Sequence, residues 1–282
     1  MRNILINFRA GLGDFLQITP LLFSLHKQSE LNLIFVGNVE LKYLVDSYPF
    51  FIKSIYINYD ENPFGKIISL VKLIYFLRIN KVDIVFTPVF CAGTFSNLIS
   101  ILSGAPKRFG FSNKNKTIAY TKIIPINNKE SNIIQNLKVL DCLSVLKPSL
   151  NTIIYISEDA NQRTETYFKR NGIFNAPIYA LAPLAKGMKG YPSKCWSINN
   201  YRLVIDKILE AVPGYVLILG SFKEVEEFRK GFKFTHEGRI LFQPNDFSII
   251  DVAALLKKCR LLLCNDGGLM HLAAAVDVPI VS

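Results

Sequence analysis

The sequence predicts an α/β fold made of two Rossmann-like domains, and two observations carry that prediction. Apolar strands alternate with helices along the chain, and each strand is a continuous apolar run, which is typical of parallel sheets covered on both faces. In addition, a strand runs into glycines and an acid at residues 11–14 and again at residues 265–268. Since each of these junctions also begins a helix, backbone N–H groups gather where an anion can bind.

The first half of the chain is predicted to contain five strands and five helices. The strands lie at residues 4–8, 33–36, 52–57, 82–86 and 107–111, and the helices at residues 14–28, 40–48, 64–78, 94–103 and 133–146. Pro20 should kink the first helix or confine regular helix to the residues after it. The helix at residues 64–78 is apolar over a wider arc than one buried face needs. Either neighbours bury it on several sides, or it contacts a membrane surface.

The second half repeats the alternation of strands and helices. We expect strands at residues 152–156, 178–181, 215–220, 239–242, 260–264 and 278–281, and helices at residues 160–170, 198–212 and 225–231. Asp246 or Ser248 should cap a further helix, because Ser248 and Asp251 resemble a capping box. A last helix begins at the second glycine junction. No helix follows to cover the final strand, so we expect the C-terminal domain to be incomplete.

These elements predict three segments: a first domain at residues 1–157, a linker helix within residues 158–176 and a second domain at residues 177–282. The net charge of +11 is divided unevenly between them. Residues 1–150 hold 17 Lys and Arg against 9 Asp and Glu, a net of +8, and residues 151–282 hold 16 against 13, a net of +3. The basic first half favours an acidic partner, although a basic surface that only aids solubility is the alternative.

Composition narrows the class of protein further. No nucleic-acid-binding motif is visible, so we expect no nucleic-acid partner. The five cysteines form no CxxC pair and the three histidines do not cluster, which predicts reduced thiols in a cytosolic protein without a metal site or a cofactor. We expect no signal peptide and no transmembrane helix, because no apolar run reaches about 18 residues.

The first glycine junction, Gly11-Leu12-Gly13-Asp14, departs from a dinucleotide-binding fingerprint. That fingerprint needs a third glycine three residues after the second, where this chain has Leu16. Binding of a nicotinamide or a flavin is therefore disfavoured. What remains is a turn that lets a substrate approach the backbone beside a carboxylate. Asp14 can cap the helix, or it can take a proton from a hydroxyl nucleophile as a general base.

The second junction, Asn265-Asp266-Gly267-Gly268, opens a helix that carries His271. Asp266 suits the N-cap position of that helix. The two glycines remove side chains where a phosphate would meet the helix N–H groups. A single helical histidine is usually structural, but His271 stands one turn from this phosphate-sized space and is equally a candidate ligand contact.

Three residues on loops complete the set of candidates. Lys194 follows a loop rich in glycine and lysine, where it can neutralise a diphosphate or remain solvated. Glu224 follows the strand at residues 215–220, where it can accept from ribose hydroxyls or serve as the acid of a helix start. Trp196 is expected to anchor the start of the helix at residues 198–212 in the core.

Three blocks of this chain resemble glycosyltransferase family 9, the lipopolysaccharide heptosyltransferases. They read RNILINFRAGLGDFLQITPLLFSLHK, then KCWSINNYRLVIDKIL with VLILGSFKEVEEF, then NDGGLMHLAAAVDVPIVS. The resemblance implies GT-B architecture, in which two Rossmann-like domains with parallel sheets face a central cleft. It also implies that the first domain binds the acceptor and the second binds a nucleotide-sugar donor. The chain reads DGG where the family more often has D-T/S-G.

The resemblance implies a role for each candidate residue. Asp14 and Lys194 would be catalytic, as the general base and as the group that holds the donor diphosphate. Donor-binding residues would be Gly11, Gly13, Glu224, Asp266, Gly267, Gly268 and His271. The chain has no DxD motif, which metal-dependent glycosyltransferases commonly use, so transfer without a metal ion is expected.

The family further implies the reaction and its place in the cell. An ADP-heptose-like donor would transfer its sugar, with inversion, to an anionic lipid-linked saccharide of the lipopolysaccharide core. The protein would then be cytoplasmic and peripheral at the inner face of the cytoplasmic membrane. A non-catalytic or degenerate relative that only binds a sugar nucleotide is the alternative.

Overall fold

The structure is a computed structural model that describes residues 1–58, 63–112, 117–146, 148–183, 196–231 and 235–282, with the backbone alone at residues 63, 64, 66 and 67. The chain divides into two compact units, Met1–Ile153 and Ile154–Ser282. Each unit contains one parallel sheet with helices between its strands. The predicted α/β fold with two Rossmann-like parts is confirmed.

The first unit has a six-stranded sheet. Its strands are β1 (Arg2–Asn7), β2 (Leu31–Asn38), β3 (Phe51–Ile57), β4 (Ile84–Phe86), β5 (Lys107–Phe111) and β6 (Lys122–Ile124). Its helices are α1 (Leu12–His26), α2 (Lys42–Asp46), α3 (Pro63–Ile79), α4 (Thr94–Leu102) and α5 (Asn132–Leu143). The order β3-β2-β1-β4-β5-β6 is parallel throughout. The chain therefore reverses its winding between β1 and β4, where sheets of this kind bind ligands.

The second unit repeats this topology with five strands. They are β7 (Ile178–Ala182), β8 (Tyr215–Ile218), β9 (Ile240–Phe242), β10 (Leu261–Cys264) and β11 (Ile280–Val281). Its helices are α6 (Glu158–Arg170), α7 (Ile198–Ala211), α8 (Phe222–Gly231), α9 (Ile249–Lys257) and α10 (Gly268–Ala275). The order β11-β10-β7-β8-β9 is again parallel. Here the winding reverses between β7 and β10.

Continuous burial explains why both sheets are parallel and covered. Consecutive strand residues are fully buried in each unit: Ile4, Leu5 and Ile6 in β1, and Val216, Leu217 and Ile218 in β8. Because neighbouring residues of a strand point to opposite faces, both faces of each sheet must be covered. None of the helices in the described part of the chain is long and apolar enough to cross a membrane.

Helix α1 is continuous through Pro20, so regular helix is not confined to the residues after the proline. Pro20 has no N–H to donate to the carbonyl of Leu16. The hydroxyl of Thr19 donates to that carbonyl instead, at 2.7 Å. The same hydroxyl accepts a hydrogen bond from the N–H of Ile153 at 2.8 Å. Thr19 thereby supplies the donor that the Leu16 carbonyl lacks, and it also bonds the end of the first unit to α1.

The strand expected at residues 152–156 is wrong, since the structure describes this segment without regular secondary structure. The N–H of Ile153 donates to Thr19, and the carbonyl of Ile153 accepts from the hydroxyl of Tyr48 at 2.5 Å. A sheet ladder uses these same backbone groups. Side chains rather than a neighbouring strand therefore satisfy the backbone of Ile153, and residues 152–156 are only partly buried.

Helix α6, which the sequence places in a linker, packs against α9 within the second unit. The guanidinium of Arg163 on α6 contacts Asp246 at 3.2 Å and the buried carboxylate of Asp251 at 3.4 Å. Ser248, and not Asp246, is the N-cap of α9, and Ser248 forms the predicted capping box with Asp251. Asp251 therefore stabilises the start of α9 and the contact with α6 together.

Candidate functional site

Both glycine junctions lie where the winding of their sheet reverses. Residues 11–14 follow β1, which neighbours β4, and residues 265–268 follow β10, which neighbours β7. The carboxyl ends of parallel strands meet at one edge of a sheet, and that edge is where doubly wound sheets bind ligands. Each unit therefore has a candidate site at this edge of its sheet.

In the first unit, Asp14 lies in the first turn of α1 and is partly exposed. Its Oδ2 accepts a hydrogen bond from the N–H of Gly11 at 3.2 Å. Gly11 is the N-cap residue and has no side chain of its own, so the Asp14 carboxylate helps to close the helix start. The capping role that the sequence allowed is thus present. A carboxylate has about four lone-pair positions, so capping and proton transfer do not exclude each other.

Neither Gly11 nor Gly267 is needed by the packing of the described residues. Their φ values of −86° and −175° are open to any residue. A Cβ added at Gly11 would approach Asp14 at 3.9 Å, and one at Gly267 would approach the carbonyl of Asn265 at 3.8 Å, both ordinary contacts. The missing side chains therefore leave open space at both junctions, as a ligand that approaches the backbone requires.

A buried polar cluster at the end of β1 was not predicted. Asn7 is fully buried, and its Nδ2 donates to the carbonyl of Ser96 at 2.8 Å and to the hydroxyl of Thr87 at 3.2 Å. Thr87 follows β4 and Ser96 belongs to α4. Asn7 therefore fixes α4 against the strand ends beside the first junction. The available signal was Asn7, the one polar residue in the apolar run at residues 4–8.

The two thiols beside the junctions are not nucleophiles at neutral pH. Burial raises the pKa of Cys91 well above its ordinary value, and the charge of Asp14 also raises it. Burial, with the charge of Asp266, raises the pKa of Cys264 to about 11. Since the thiolate is the reactive form, both sulfurs stay protonated and inert. The described cysteines are all free thiols.

In the second unit, the N-cap residue of α10 makes no side-chain cap hydrogen bond. The N-cap residue is Gly267, so the N-cap position expected for Asp266 is wrong. Gly267 offers no side chain to the first N–H groups of the helix, and the helix dipole is positive at this end. Asp266 is exposed just before the helix, while Gly268 begins it and His271 lies one turn further, both partly exposed.

Glu224 lies at the same edge of the sheet and serves as the acid of a helix start. Its Oε2 accepts from the N–H of Ser221 at 2.9 Å and from the Ser221 hydroxyl at 2.7 Å. β8, which precedes Glu224, is two positions from β10 in the sheet, a spacing of about 10 Å. Glu224 and the second junction therefore flank the end of β7.

Asn265 is a residue of this site that sequence reasoning did not single out. Its side chain is buried; Oδ1 accepts from the N–H of Trp196 at 2.9 Å and from the hydroxyl of Tyr201 at 3.1 Å. Its Nδ2 donates to the carbonyl of Pro183 at 2.9 Å. One amide thus holds the chain on both sides of residues 184–195 to the end of β10. Lys194 lies outside the described residues.

Trp196 does not anchor the core as expected. It is 46% exposed, and its ring meets the ring of Tyr201 edge to face, with centroids 5.1 Å apart. Tyr201 is the buried aromatic at this position. The expectation fails because the start of α7 is held to the end of β10 by the backbone N–H of Trp196, which donates to Asn265, and not by burial of the Trp196 ring. Among the described residues, no group of three or more His, Cys, Asp or Glu side chains could hold a metal ion.

The fold matches solved glycosyltransferases of GT-B class. The structure of a glycosyl transferase family 9 protein from Veillonella parvula DSM 2008 superposes over 99% of this chain and 79% of its own, with a TM-score of 0.81 and 20% identity. E. coli ADP-heptose lps heptosyltransferase II superposes over 99% of this chain and 83% of its own, with a TM-score of 0.76 and 19% identity. E. coli heptosyltransferase WaaC with ADP-2-deoxy-2-fluoro heptose superposes over 99% of this chain and 87% of its own, with a TM-score of 0.71 and 15% identity. These likenesses establish the class of fold.

The family follows from a match of sequence. The family model described as glycosyltransferase family 9 (heptosyltransferase) matches residues 79–282, and the chain belongs to this family. Lipooligosaccharide heptosyltransferase 2 of Haemophilus influenzae is 27% identical over 150 residues, which are 50% of this chain and 40% of that protein. A second relative of the same name, from Haemophilus ducreyi, is 27% identical over 143 residues, which are 49% of this chain and 39% of that protein. The chain thus spans about 40% of the curated relatives that it matches.

Proposed function

We propose that the protein transfers a heptose, or a related sugar, from a nucleotide diphosphate donor to an acceptor of the lipopolysaccharide-core type. Membership of family 9 supports the class of reaction. The observation that carries the proposal is the pair of junctions, with a carboxylate at one strand end and an uncapped helix N-terminus at the other. Inverting transfer from a nucleotide sugar uses a base for the acceptor hydroxyl and an anion site for the leaving diphosphate.

The second unit is the donor half of this proposal. The N–H groups at the start of α10, left open by Gly267 and Gly268, would bind the diphosphate. His271 and Asp266 would border the same space, and Glu224 would reach the ribose. Lys194 would neutralise charge on the leaving phosphate. One neighbour is named for ADP-heptose, and another was solved with an ADP-heptose analogue, which favours ADP-heptose as the donor.

The first unit is the acceptor half, with Asp14 as the base. Gly11, which adds no side chain beside Asp14, and Gly13, which is buried in the first turn of α1, would keep the donor-binding role that the resemblance implies. The acceptor hydroxyl oxygen would attack the anomeric carbon while the carboxylate of Asp14 takes the hydroxyl proton. The bond from that carbon to the phosphate oxygen would break, and its electron pair would leave with the nucleoside diphosphate. This single displacement inverts the anomeric carbon. Because the sequence has no DxD motif, we include independence from a metal ion in the proposal.

We also propose that the protein works as a peripheral protein at the inner face of the cytoplasmic membrane, where an anionic lipid-linked saccharide is accessible. The net charge of +8 in residues 1–150 supports an acidic partner for the first unit. The names of the Haemophilus and E. coli relatives, which refer to lipooligosaccharide and lps, support a lipid-linked acceptor.

Titration and turnover together test the proposal. Calorimetric titration with ADP should show binding, and mass spectrometry after mixing with ADP-heptose and a heptose-deficient lipopolysaccharide core should show one added heptose. Chelation of metals with EDTA should leave the rate unchanged. Failure to transfer any sugar to any core acceptor, with ADP bound, would favour the second candidate, a sugar-nucleotide binder without turnover. The DGG sequence, which lacks the hydroxyl of D-T/S-G, is the observation in favour of that candidate.

A further inference from the structure

Helix α3 has apolar side chains on two opposite sides, of which one is buried against the sheet and the other is exposed. On the inner side, Leu73 and Leu77 are buried in a core cluster with strand residues of the sheet. On the outer side, Val71 is 60% exposed and Tyr75 is 68% exposed. Apolar side chains on the outer side of α3 therefore remain in contact with solvent, whereas a helix that covers a sheet usually has a polar outer face.

The exposed apolar residues form one narrow stripe. We define the α3 stripe as Ile68, Val71, Tyr75 and Ile79, all of which are exposed. At 3.6 residues per turn these four positions span about 80° of the helix surface. Lys72 and Arg78 are also exposed, and the same geometry places one on each border of the stripe. An apolar centre with a cation on each side is the pattern of a helix that lies in a membrane interface.

Helix α4 covers the same face of the sheet and also has exposed apolar side chains. Ile99 of α4 shares the core cluster of Leu73 and Leu77, so both helices cover the same face of the sheet. Leu98 and Ile101 of α4 are exposed. The guanidinium of Arg78 lies beside Gly104, just after α4. Neither α3 nor α4 contains an Asp or a Glu, so the two helices present apolar and cationic groups and no carboxylate.

We propose that α3 docks the protein onto an anionic lipid bilayer, with the α3 stripe at the boundary of the acyl chains and Lys72 and Arg78 among the headgroup phosphates. The inference deepens the proposed function, because it rests on a lipid-linked acceptor and names the surface that reaches the lipid. Long cationic side chains can bury their stems while their charged ends stay at the phosphates. The lipid charge then complements the cations that border the stripe.

Charge argues for a bilayer rather than for a second copy of the chain. In a two-fold dimer through the α3 stripe, the same surface would face itself. Lys72 and Arg78 of one copy would then approach the cations of the other, and α3 and α4 supply no carboxylate to offset them. Like charges placed together across an interface oppose association.

The test uses the full chain and flotation with vesicles. Wild-type protein should bind vesicles of equal parts phosphatidylglycerol and phosphatidylcholine, and bind pure phosphatidylcholine far less. The double variant Val71→Gln, Tyr75→Gln should bind the anionic vesicles at least about tenfold more weakly. The matched control is Phe174→Gln, Leu203→Gln, at positions of the second unit that are 66% and 58% exposed. It should bind as the wild type does.

Cation variants and a soluble assay complete the test. The double variant Lys72→Gln, Arg78→Gln should bind the anionic vesicles more weakly than the wild type does. Its binding to pure phosphatidylcholine vesicles should be unchanged. Transfer to a detergent-dispersed acceptor should be the same for Val71→Gln, Tyr75→Gln and the wild type. The inference is overturned if the wild type does not bind anionic vesicles, or if Val71→Gln, Tyr75→Gln binds them as tightly as the wild type does. It is also overturned if sedimentation shows that the wild type is a dimer and that this double variant is a monomer. Vesicle binding without any transfer would instead refute the proposed function alone.

Discussion

Asp14 and Glu224 show that a candidate functional carboxylate can also stabilise the start of a helix. Asp14 accepts from Gly11, and Glu224 accepts from Ser221, in each case three residues before it. A substitution that removes such a carboxylate therefore affects folding and chemistry together. The useful variants are those that keep the hydrogen bond and change only the ability to take a proton.

Asp14→Asn is the variant that separates these roles. The amide oxygen of asparagine can still accept from Gly11, so the free energy of unfolding should change by less than about 1 kcal/mol. The amide cannot take a proton, so turnover should fall about 100-fold or more. The measurement is the initial rate of sugar transfer at saturating donor, with urea unfolding as the stability check. Asp277→Asn, at an exposed position, is the control and should leave the rate unchanged. Near-normal turnover of Asp14→Asn would remove Asp14 from the role of base.

Asn265 is the second residue whose role can be isolated. Asn265→Ala leaves the N–H of Trp196, the hydroxyl of Tyr201 and the carbonyl of Pro183 without this partner. Loss of buried hydrogen bonds of this kind should cost about 2–3 kcal/mol in the free energy of unfolding, measured by urea denaturation. Asn199→Ala, an exposed position on α7, is the matched control and should stay within about 0.5 kcal/mol. Equal stability of the two variants would contradict the assigned role.

At the scale of elements, α1 shows how one hydroxyl allows a proline inside a helix. Thr19 donates to the carbonyl that Pro20 leaves without a donor, and it accepts from the backbone of Ile153. The end of the first unit, at Ile153, is held by this bond and by the hydroxyl of Tyr48. The periodicity of the sequence does not show either contact. The sequence therefore predicted an interruption of the helix at Pro20 and a strand at residues 152–156.

Thr19→Val tests this arrangement. Valine keeps the shape of threonine and removes the hydroxyl, so the carbonyl of Leu16 and the N–H of Ile153 lose their partner. The protein should lose about 1–3 kcal/mol in the free energy of unfolding, measured by chemical denaturation. Thr166→Val, on the exposed face of α6, should change stability by less than about 0.5 kcal/mol. An unchanged midpoint for Thr19→Val would show that water replaces the hydroxyl.

At the scale of the whole molecule, both units use one topology. The strand orders β3-β2-β1-β4-β5 and β9-β8-β7-β10-β11 are the same winding repeated, and each places a glycine junction beside its point of reversal. The repetition gives each unit one candidate ligand-binding edge. The proposed division of labour, with donor in the second unit and acceptor in the first, makes these edges chemically different.

Hydrogen exchange with bound ADP tests the division. ADP at 100 times its Kd should stabilise the unit that binds it by about 2.7 kcal/mol. Amides of β10 and α10, around Asn265 and Gly268, should exchange more slowly, whereas the amides of β2 and β3 should be unaffected. Mass spectrometry of peptides from both units gives the comparison within one sample. Slower exchange confined to the first unit would contradict the assignment.

The fold was largely predictable because its signals are local. Continuous apolar strands predicted parallel sheets, and the order of strands and helices predicted two Rossmann-like parts. The short strand β6 was missed, since Lys122–Ile124 has only three residues and its register comes from β5. Among the candidate site residues, the sequence singled out Asp14, Glu224 and the two glycine junctions, and their roles stay predictions. It missed Asn7 and Asn265, because an isolated asparagine at a strand end has no periodicity to mark it.

The sequence alone determined the class of fold, the family, the two junctions and the basic first half, since each is written in neighbouring residues or in composition. Only the tertiary structure decided which strands stand beside each junction, that Asn265 holds Pro183 from 82 residues away, and that α3 leaves an apolar stripe uncovered. The physical reason is that hydrogen-bond partners and burial depend on residues distant in the chain. Helical periodicity shows that a side chain is apolar, but only the packed neighbours decide whether water still reaches it.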